Sequence, residues 1–427
     1  MNAAAENSAR TVDAVRAFLF DATLPDGPSA GHHSLSDGVT GVTIKLGVLA
    51  LAGPENGGTY QYTLSVLQAL RHTSGFDITV YGDPQNPDFI DLGYPISLFA
   101  ESRAQQVAAL AAHRMHIGLP DQFASEDILL APIYSLALLH TSRPFAFTLH
   151  DLQENYYPRN FSRWQRAWRY QVNSQMLFQA RRVICESRQV QMDVTGSFGI
   201  PEEKTAVIAA PPMQQFLARQ NDDQIQAVRV RLRLPEKFLF YPAQFWVHKN
   251  HLRLIEAFRE VAIEVPDVNL VLTGKPRPIG HARRRSSAAR TSDEYQAVMR
   301  AIDKYGLNDR VLHLGYVEQD DLQAIYRLAT ALVMPSLFES VSIPIYEAFQ
   351  LGIPVAASGI LGIPEQVGDA GLLFDPKSVA SIKQAILALV KDPQTARLLA
   401  KRGRDRMLAM TRERYGAQLQ DLLLGMR

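Results

Sequence analysis

From Thr43 onward, short β-branched and aliphatic runs alternate with longer stretches whose apolar residues recur at helical spacing. The runs "TIKLGVLA", "DITVYG", "DILLAP", "FAFTLHD", "RVICES" and "TAVIAA" predict strands. Helical stretches separate most of them, notably "TYQYTLSVLQAL", in which Tyr60, Leu64, Leu67 and Leu70 share a face, and Arg163–Ala180. The alternation pauses at the proline- and glutamine-rich "APPMQQFLARQNDDQIQ" and then restarts with "KFLFYPA", "VNLVLTG", "RVLHLGYV", "TALVMPS", "IPVAAS" and "GLLFD". Strands alternating with helices predict parallel sheets covered on both faces, an α/β class. The expected organisation is a mobile N-terminal extension over 1–42, a doubly wound domain over 43–212 and a linker over 213–235. A second doubly wound domain over 236–404 and a C-terminal helix over 405–427, packing back on the first, complete it. Ligands of open α/β sheets sit beyond the carboxyl ends of the strands, so the cleft between the halves is the place to look for chemistry.

Composition narrows the function classes. With 47% apolar and 20% charged residues and a net charge of +1, the chain is globular and carries no global field for nucleic acid. The single cysteine, Cys185, excludes a disulfide framework and reads as a buried, inert thiol. The longest apolar run, Ile128–Leu139, is broken by Pro132 and is shorter than the roughly 18–20 residues of a membrane span. The N-terminus has no secretory-signal pattern. "KPRPIGHARRRSSAARTSDE", residues 275–294, is a long basic insertion that reads as a solvated loop.

Several motifs fall at strand ends. "LAGPENGGTYQYTL" places Gly57 and Gly58 at a helix start, either an anion-binding terminus or a plain tight turn; it is neither a dinucleotide fingerprint nor a P-loop. "FTLHDLQENYYP" puts His150 and Asp151 just past a strand. The following helix carries Arg163, Arg166 and Arg169 on one face and Phe161, Trp164, Trp168 and Val172 on another, with no acidic residue between Arg159 and Arg182. That pattern fits either a helix with solvated arginines or a surface for anionic lipid headgroups. Lys249 in "YPAQFWVHKNH" stands near a helix start, where it would neutralise a phosphate. In "LFESVSIPIYEAFQLGIPVAAS", Glu339 and Glu347 flank a loop whose amides, Ser340 to Ile343, are expected to face the cleft, with Glu347 in the first helical turn. The pair fits either carboxylates for sugar and ribose hydroxyls or a solvated loop residue and a complement to the helix dipole.

In this order, "ENGGTYQYTL", "LHDLQENYYP", "YPAQFWVHKNH", "LGYV" and "PSLFESVSIPIYEAFQLGIPVAAS" resemble the GT-B retaining glycosyltransferases of family four, over about Thr43 to Pro376. Such proteins have two Rossmann-like domains with a cleft between them. "AQFWVHKNH" is similar to a bacterial subgroup with many mannosyltransferases of surface-polysaccharide assembly. The resemblance implies Glu339, Lys249 and His150 as the catalytic set. It implies Gly57, Gly58, Ser340, Val341, Ser342 and Ile343 around the diphosphate, Glu347 on the ribose, and Tyr316 and Val317 on the base. Two positions depart from the family pattern: Gln244 replaces an arginine, and Ser340-Val341-Ser342 replaces Gly-Phe-Gly.

The implied activity is transfer of a hexose, with mannose from GDP-mannose ahead of UDP-sugars, to a saccharide or lipid-linked saccharide, with no cofactor. No D-x-D motif lies beside a strand, so no metal is expected. The expected location is the cytoplasm, with peripheral contact to an anionic membrane through the basic-aromatic helix and no nucleic-acid partner. Two rivals share the architecture: a nucleotide-sugar 2-epimerase and a catalytically degenerate binding subunit.

Overall fold

The computed structural model describes residues 43–212, 220–274 and 287–427, with the side chains of 55 and 287–293 excepted. The expected N-terminal extension, the start of the expected linker and most of the basic insertion lie outside the described residues. Thr43–Arg427 form one compact unit holding two parallel sheets.

The first sheet has seven strands in the order β3-β2-β1-β4-β5-β6-β7. They are β1 (Ile44–Ala50), β2 (Phe76–Gly82), β3 (Ile96–Leu98), β4 (Ile128–Ala131), β5 (Phe145–Leu149), β6 (Arg182–Cys185) and β7 (Thr205–Val207). The second has six, β10-β9-β8-β11-β12-β13. These are β8 (Phe238–Pro242), β9 (Asn269–Thr273), β10 (Val311–His313), β11 (Ala331–Met334), β12 (Val355–Ser358) and β13 (Leu372–Phe374). Central strands such as β4, β5, β11 and β12 are buried along their whole length, which is why they read as unbroken apolar runs. Every expected strand is present; the short β3 is an addition, entered from Pro95 and too brief for a periodic signal. Cys185 ends β6 as a buried free thiol.

Two boundaries differ from the expectation. The linker region is helical over Asp222–Leu232, capped by Asn221 and Gln224, and Ile225 and Val228 pack against Ala324 of the second half. The returning helix begins at Arg412 rather than near Asp405, because Asp405 belongs to the preceding helix Pro393–Leu408 and Thr411 caps a new one.

That final helix, Arg412–Leu424, lies on the first α-helix of the described residues, Gly58–Leu70, and adds Tyr415, Leu419, Leu422 and Leu423 to the core of the first half. The approach is close enough that a Cβ at Gly416 would stand 2.6 Å from the Ala69 carbonyl oxygen. Gly416→Val should therefore overpack this seam, at a cost of about 1–3 kcal/mol, and lower the apparent midpoint of thermal or urea unfolding. An unchanged midpoint would mean that the helix is not docked there.

Candidate active site

Each sheet reverses its strand order once, between β1 and β4 and between β8 and β11. Loops leaving the strands at such a reversal diverge and open a crevice. Lys249 follows β8 in the turn Val247–Lys249, and Glu339 follows β11. The two meet as an ion pair, Lys249 Nζ to Glu339 Oε1 at 2.5 Å, with the side chains 21% and 13% exposed. Ser336 Oγ donates to the same carboxylate oxygen at 2.8 Å. Tyr241, at the end of β8, donates through its hydroxyl to the Lys249 carbonyl at 2.7 Å. Asn250 takes the left-handed backbone conformation that asparagine tolerates, and its Nδ2 donates to the carbonyls of Pro335 and Pro376 at 2.9 and 2.8 Å. The loop holding Lys249 is thereby pinned to the loop holding Glu339.

The first half faces this pair with the loop after β1. Gly57 has φ 57° and ψ −116°, a conformation that glycine adopts without steric cost. It starts the helix Gly58–Leu70, and a Cβ on Gly58 would lie 3.6 Å from Ile343 Cδ1 of the opposite half. Gly58, Thr59, Tyr62 and His150 share a cavity of about 320 Å³ with Lys249, Glu339, Ser340, Val341 and Ile343. The loops are also tied directly: Tyr157 donates through its hydroxyl to the Leu337 carbonyl at 2.7 Å, and the Arg188 amide donates to Glu365 Oε2 at 2.9 Å.

His150 follows β5 and is held from three sides. Nδ1 lies 2.6 Å from Glu186 Oε2, Nε2 lies 3.0 Å from the Pro132 carbonyl oxygen, and the Tyr62 ring meets the imidazole edge-on at 4.8 Å. A carbonyl only accepts, so Nε2 carries a proton. Burial works most strongly against the charged ring, but Glu186, Asp151 and the Pro132 carbonyl together outweigh it and raise the His150 pKa. The arrangement is an imidazolium–carboxylate pair at the edge of the cleft.

The expected phosphate loop is only partly available. Ser342 is the N-cap of the helix Ile343–Leu351, and its amide already donates to Gln366 Oε1 at 2.9 Å, while Gln366 Nε2 returns a bond to the Ser342 carbonyl at 2.7 Å. Ser342 is buried, and the loop residues lining the cavity are Ser340, Val341 and Ile343. Glu347 also departs from the expectation. It sits in the second helical turn, 5% exposed, with Oε2 accepting from the Tyr326 hydroxyl at 2.8 Å, and it does not line the cavity. Tyr316, exposed, and Val317, half-buried, follow β10 and stand outside the cavity lining as well.

Other residues of the site were not singled out from the sequence. Glu186 stands just past β6 in "RVICES", and its position at a strand's carboxyl end was the available signal. Trp246 and His248 line the cavity beside Lys249, and burial together with the Lys249 charge lowers His248 to about 3, leaving it neutral. Gln366 gave no local signal, since its partner is 24 residues away. Among the described residues no group of three or more His, Cys, Asp or Glu is arranged to hold a metal ion.

A larger cavity, about 830 Å³, opens in the first half at the carboxyl ends of β1, β2 and β5. It shares Asn56, Thr59, His150 and Asp151 with the cleft cavity, so the two meet at His150.

Residues 56–211 match the family described as Glycosyltransferase Family 4, and residues 222–406 match Glycosyl transferases group 1. The chain belongs to the GT-B glycosyltransferases. O-antigen chain mannosyltransferase B of Escherichia coli is 40% identical over 93 residues, 22% of this chain and 24% of that protein. O-antigen chain mannosyltransferase RfbU of Salmonella typhimurium is 22% identical over 348 residues, 79% of this chain and 88% of that protein. The match thus spans about a quarter of mannosyltransferase B, and likewise 25% of the serotype-specific mannosyltransferase WbdA of Escherichia coli. Among solved structures, Anabaena Alr3699/HepE in complex with UDP-glucose superposes with a TM-score of 0.68 at 19% identity, covering 90% of this chain and 100% of that one. WaaG, a glycosyltransferase involved in lipopolysaccharide biosynthesis, gives 0.61 at 14% identity, over 90% and 100%. At these identities the structures establish the fold: the two-domain GT-B architecture expected from the sequence.

Burial raises Glu347 from the ordinary 4.5 to about 7, against the lowering effect of the Tyr326 hydrogen bond. A folded-state pKa above the unfolded one gives stability that is present below pH 4.5 and lost as pH rises through about 7. Glu347→Gln should remove that slope, gaining up to about 3 kcal/mol relative to wild type between pH 5 and pH 8. Unfolding midpoints of both proteins at the two pH values measure it, and parallel slopes would contradict a buried, titrating Glu347.

Proposed function

We propose that the protein moves a hexose from a nucleoside diphosphate sugar to a hydroxyl of a saccharide or lipid-linked saccharide, with retention at the anomeric carbon. The observation that carries this reading is the Lys249–Glu339 pair at the reversal point of the second sheet, opposite the helix start at Gly57–Gly58. An ammonium and a helix N-terminus on two sides of one cavity suit a diphosphate, and a carboxylate beside them suits sugar hydroxyls. In this reading Lys249, the amides of Ser340, Val341 and Ile343, and the Gly58 terminus take the diphosphate. Glu339 takes the donor sugar, and His150 stands by the reaction centre. Tyr316 and Val317 would meet the base through their backbone. Glu347 would reach the ribose once the donor displaces its bond to Tyr326.

The bond from the sugar's anomeric carbon to the diphosphate breaks while the acceptor oxygen bonds to the same face. The acceptor proton passes to the departing phosphate oxygen. Lys249 and the helix terminus stabilise the charge that builds on the leaving group. GDP-mannose is the preferred donor because relatives matching part of the chain and most of it are named mannosyltransferases, with UDP-sugars next. The cytoplasmic assignment rests on the nucleotide-sugar donor. Contact with an anionic membrane is supported by the acid-free helix Arg163–Gln179, whose Trp164 is 87% exposed.

Lys249→Ala and Glu339→Gln should each lower transfer at least 100-fold, a loss of about 2.7 kcal/mol in transition-state stabilisation, with the circular dichroism spectrum unchanged. Radiolabelled donor with an acceptor extract measures this. Near-wild-type turnover in both variants would refute the assignment.

A further inference from the structure

We infer that the larger cavity of the first half accepts an uncharged sugar and disfavours acceptors that carry a phosphate or carboxylate. The inference rests on the glycosyl-transfer reading for the cavity's role, but its physical basis is the charge on the cavity wall. At about 830 Å³ the space falls within the ~300–1,000 Å³ typical of small-molecule sites. It joins the cleft at His150 and Asp151, so a hydroxyl presented there is next to the donor cavity.

Two cations are on its lining, Arg169 and His150, and both are already ion-paired. Arg169 Nη2 lies 3.0 Å from Asp151 Oδ1, Arg169 Nε lies 2.6 Å from Glu154 Oε2, and the Phe161 ring covers the guanidinium at 5.3 Å. Two of its nitrogens, Nε and Nη2, are thus committed to carboxylates, and the guanidinium sits in a locally negative setting. His150 is paired with Glu186 at 2.6 Å.

The carboxylates outnumber these cations. Asp83, Glu101 and Asp151 line the wall, and Asp83 and Glu101 have no ion-pair partner among the described residues. Glu101 accepts from the amides of Leu136 and Ala137 and from Ser135 Oγ, which hold the carboxyl group in place, while burial raises its pKa against their effect. An incoming phosphate would meet more carboxylates than cations, and both cations are already ion-paired. A neutral sugar would meet acceptors for its hydroxyls, the side chains of Asn56, Thr59 and Gln106, and the apolar faces of Phe99 and Tyr134.

The test offers methyl hexosides and their 6-phosphates, as matched pairs, to the full-length protein. Donor hydrolysis without acceptor is followed separately by nucleoside diphosphate release, so failure of the transferase reading is visible on its own. Binding of the same pairs by saturation-transfer NMR needs no turnover and tests the cavity even then. The expected result is at least a tenfold preference, in kcat/KM or in binding, for the neutral member of a pair. That preference should narrow at least threefold in Asp83→Lys and by less in Asp83→Asn. Equal or better use of the phosphorylated member overturns the proposal. So does discrimination that Asp83→Lys leaves untouched, or the absence of any neutral hexoside that binds.

Discussion

Parallel strands cannot be joined by tight turns, so each returns through a crossover and the loops that leave the strands collect along one edge of the sheet. Two such sheets share this chain, and each reverses its order once. The residues with chemistry hang on those loops: Gly57 and Gly58 after β1, His150 after β5, Glu186 after β6, Lys249 after β8 and Glu339 after β11. Strand polarity brings them together across long sequence distances. Lys249 and Glu339 are 90 residues apart and meet at 2.5 Å because β8 and β11 are neighbours at the reversal. Asn250, bonded to the carbonyls of Pro335 and Pro376, keeps the two loops in register.

Charges in the cleft are paired before any ligand arrives. Lys249 is held by Glu339, His150 by Glu186, and Arg169 by Asp151 and Glu154. Partly buried pairs of this kind gain little net stability, because the attraction is set against the loss of hydration. Their consequence is selectivity. On our reading a diphosphate competes with Glu339 for Lys249, and the freed carboxylate turns to the sugar. Arg169 has two partners and no corresponding exchange, which separates the donor side from the acceptor side.

The sheets were legible in the sequence because fully buried parallel strands leave unbroken apolar runs, as in β4, β5 and β11. The helix Asp222–Leu232 was obscured by its proline- and glutamine-rich approach, although Asn221 and Gln224 form a capping box that marks its start. The ends of the site were harder. The capture of the Ser342 amide by Gln366 is a tertiary event with no local signature. Arg169 shares its helical face with Arg163 and Arg166 and so read as solvated, yet Asp151 and Glu154 turn it inward. Glu347 lies one residue further into its helix than the Pro344 signal implied, because the helix starts at Ile343, and burial, not the helix dipole, sets its behaviour.

The central claim is that one nucleotide sugar is held by both halves at once. Hydrogen–deuterium exchange with and without a saturating nucleoside diphosphate tests it most directly. Joint protection of the helix start at 57–62 and of the loop and helix start at 338–346 is the predicted result. Protection confined to one half, or lying outside both segments, would contradict it.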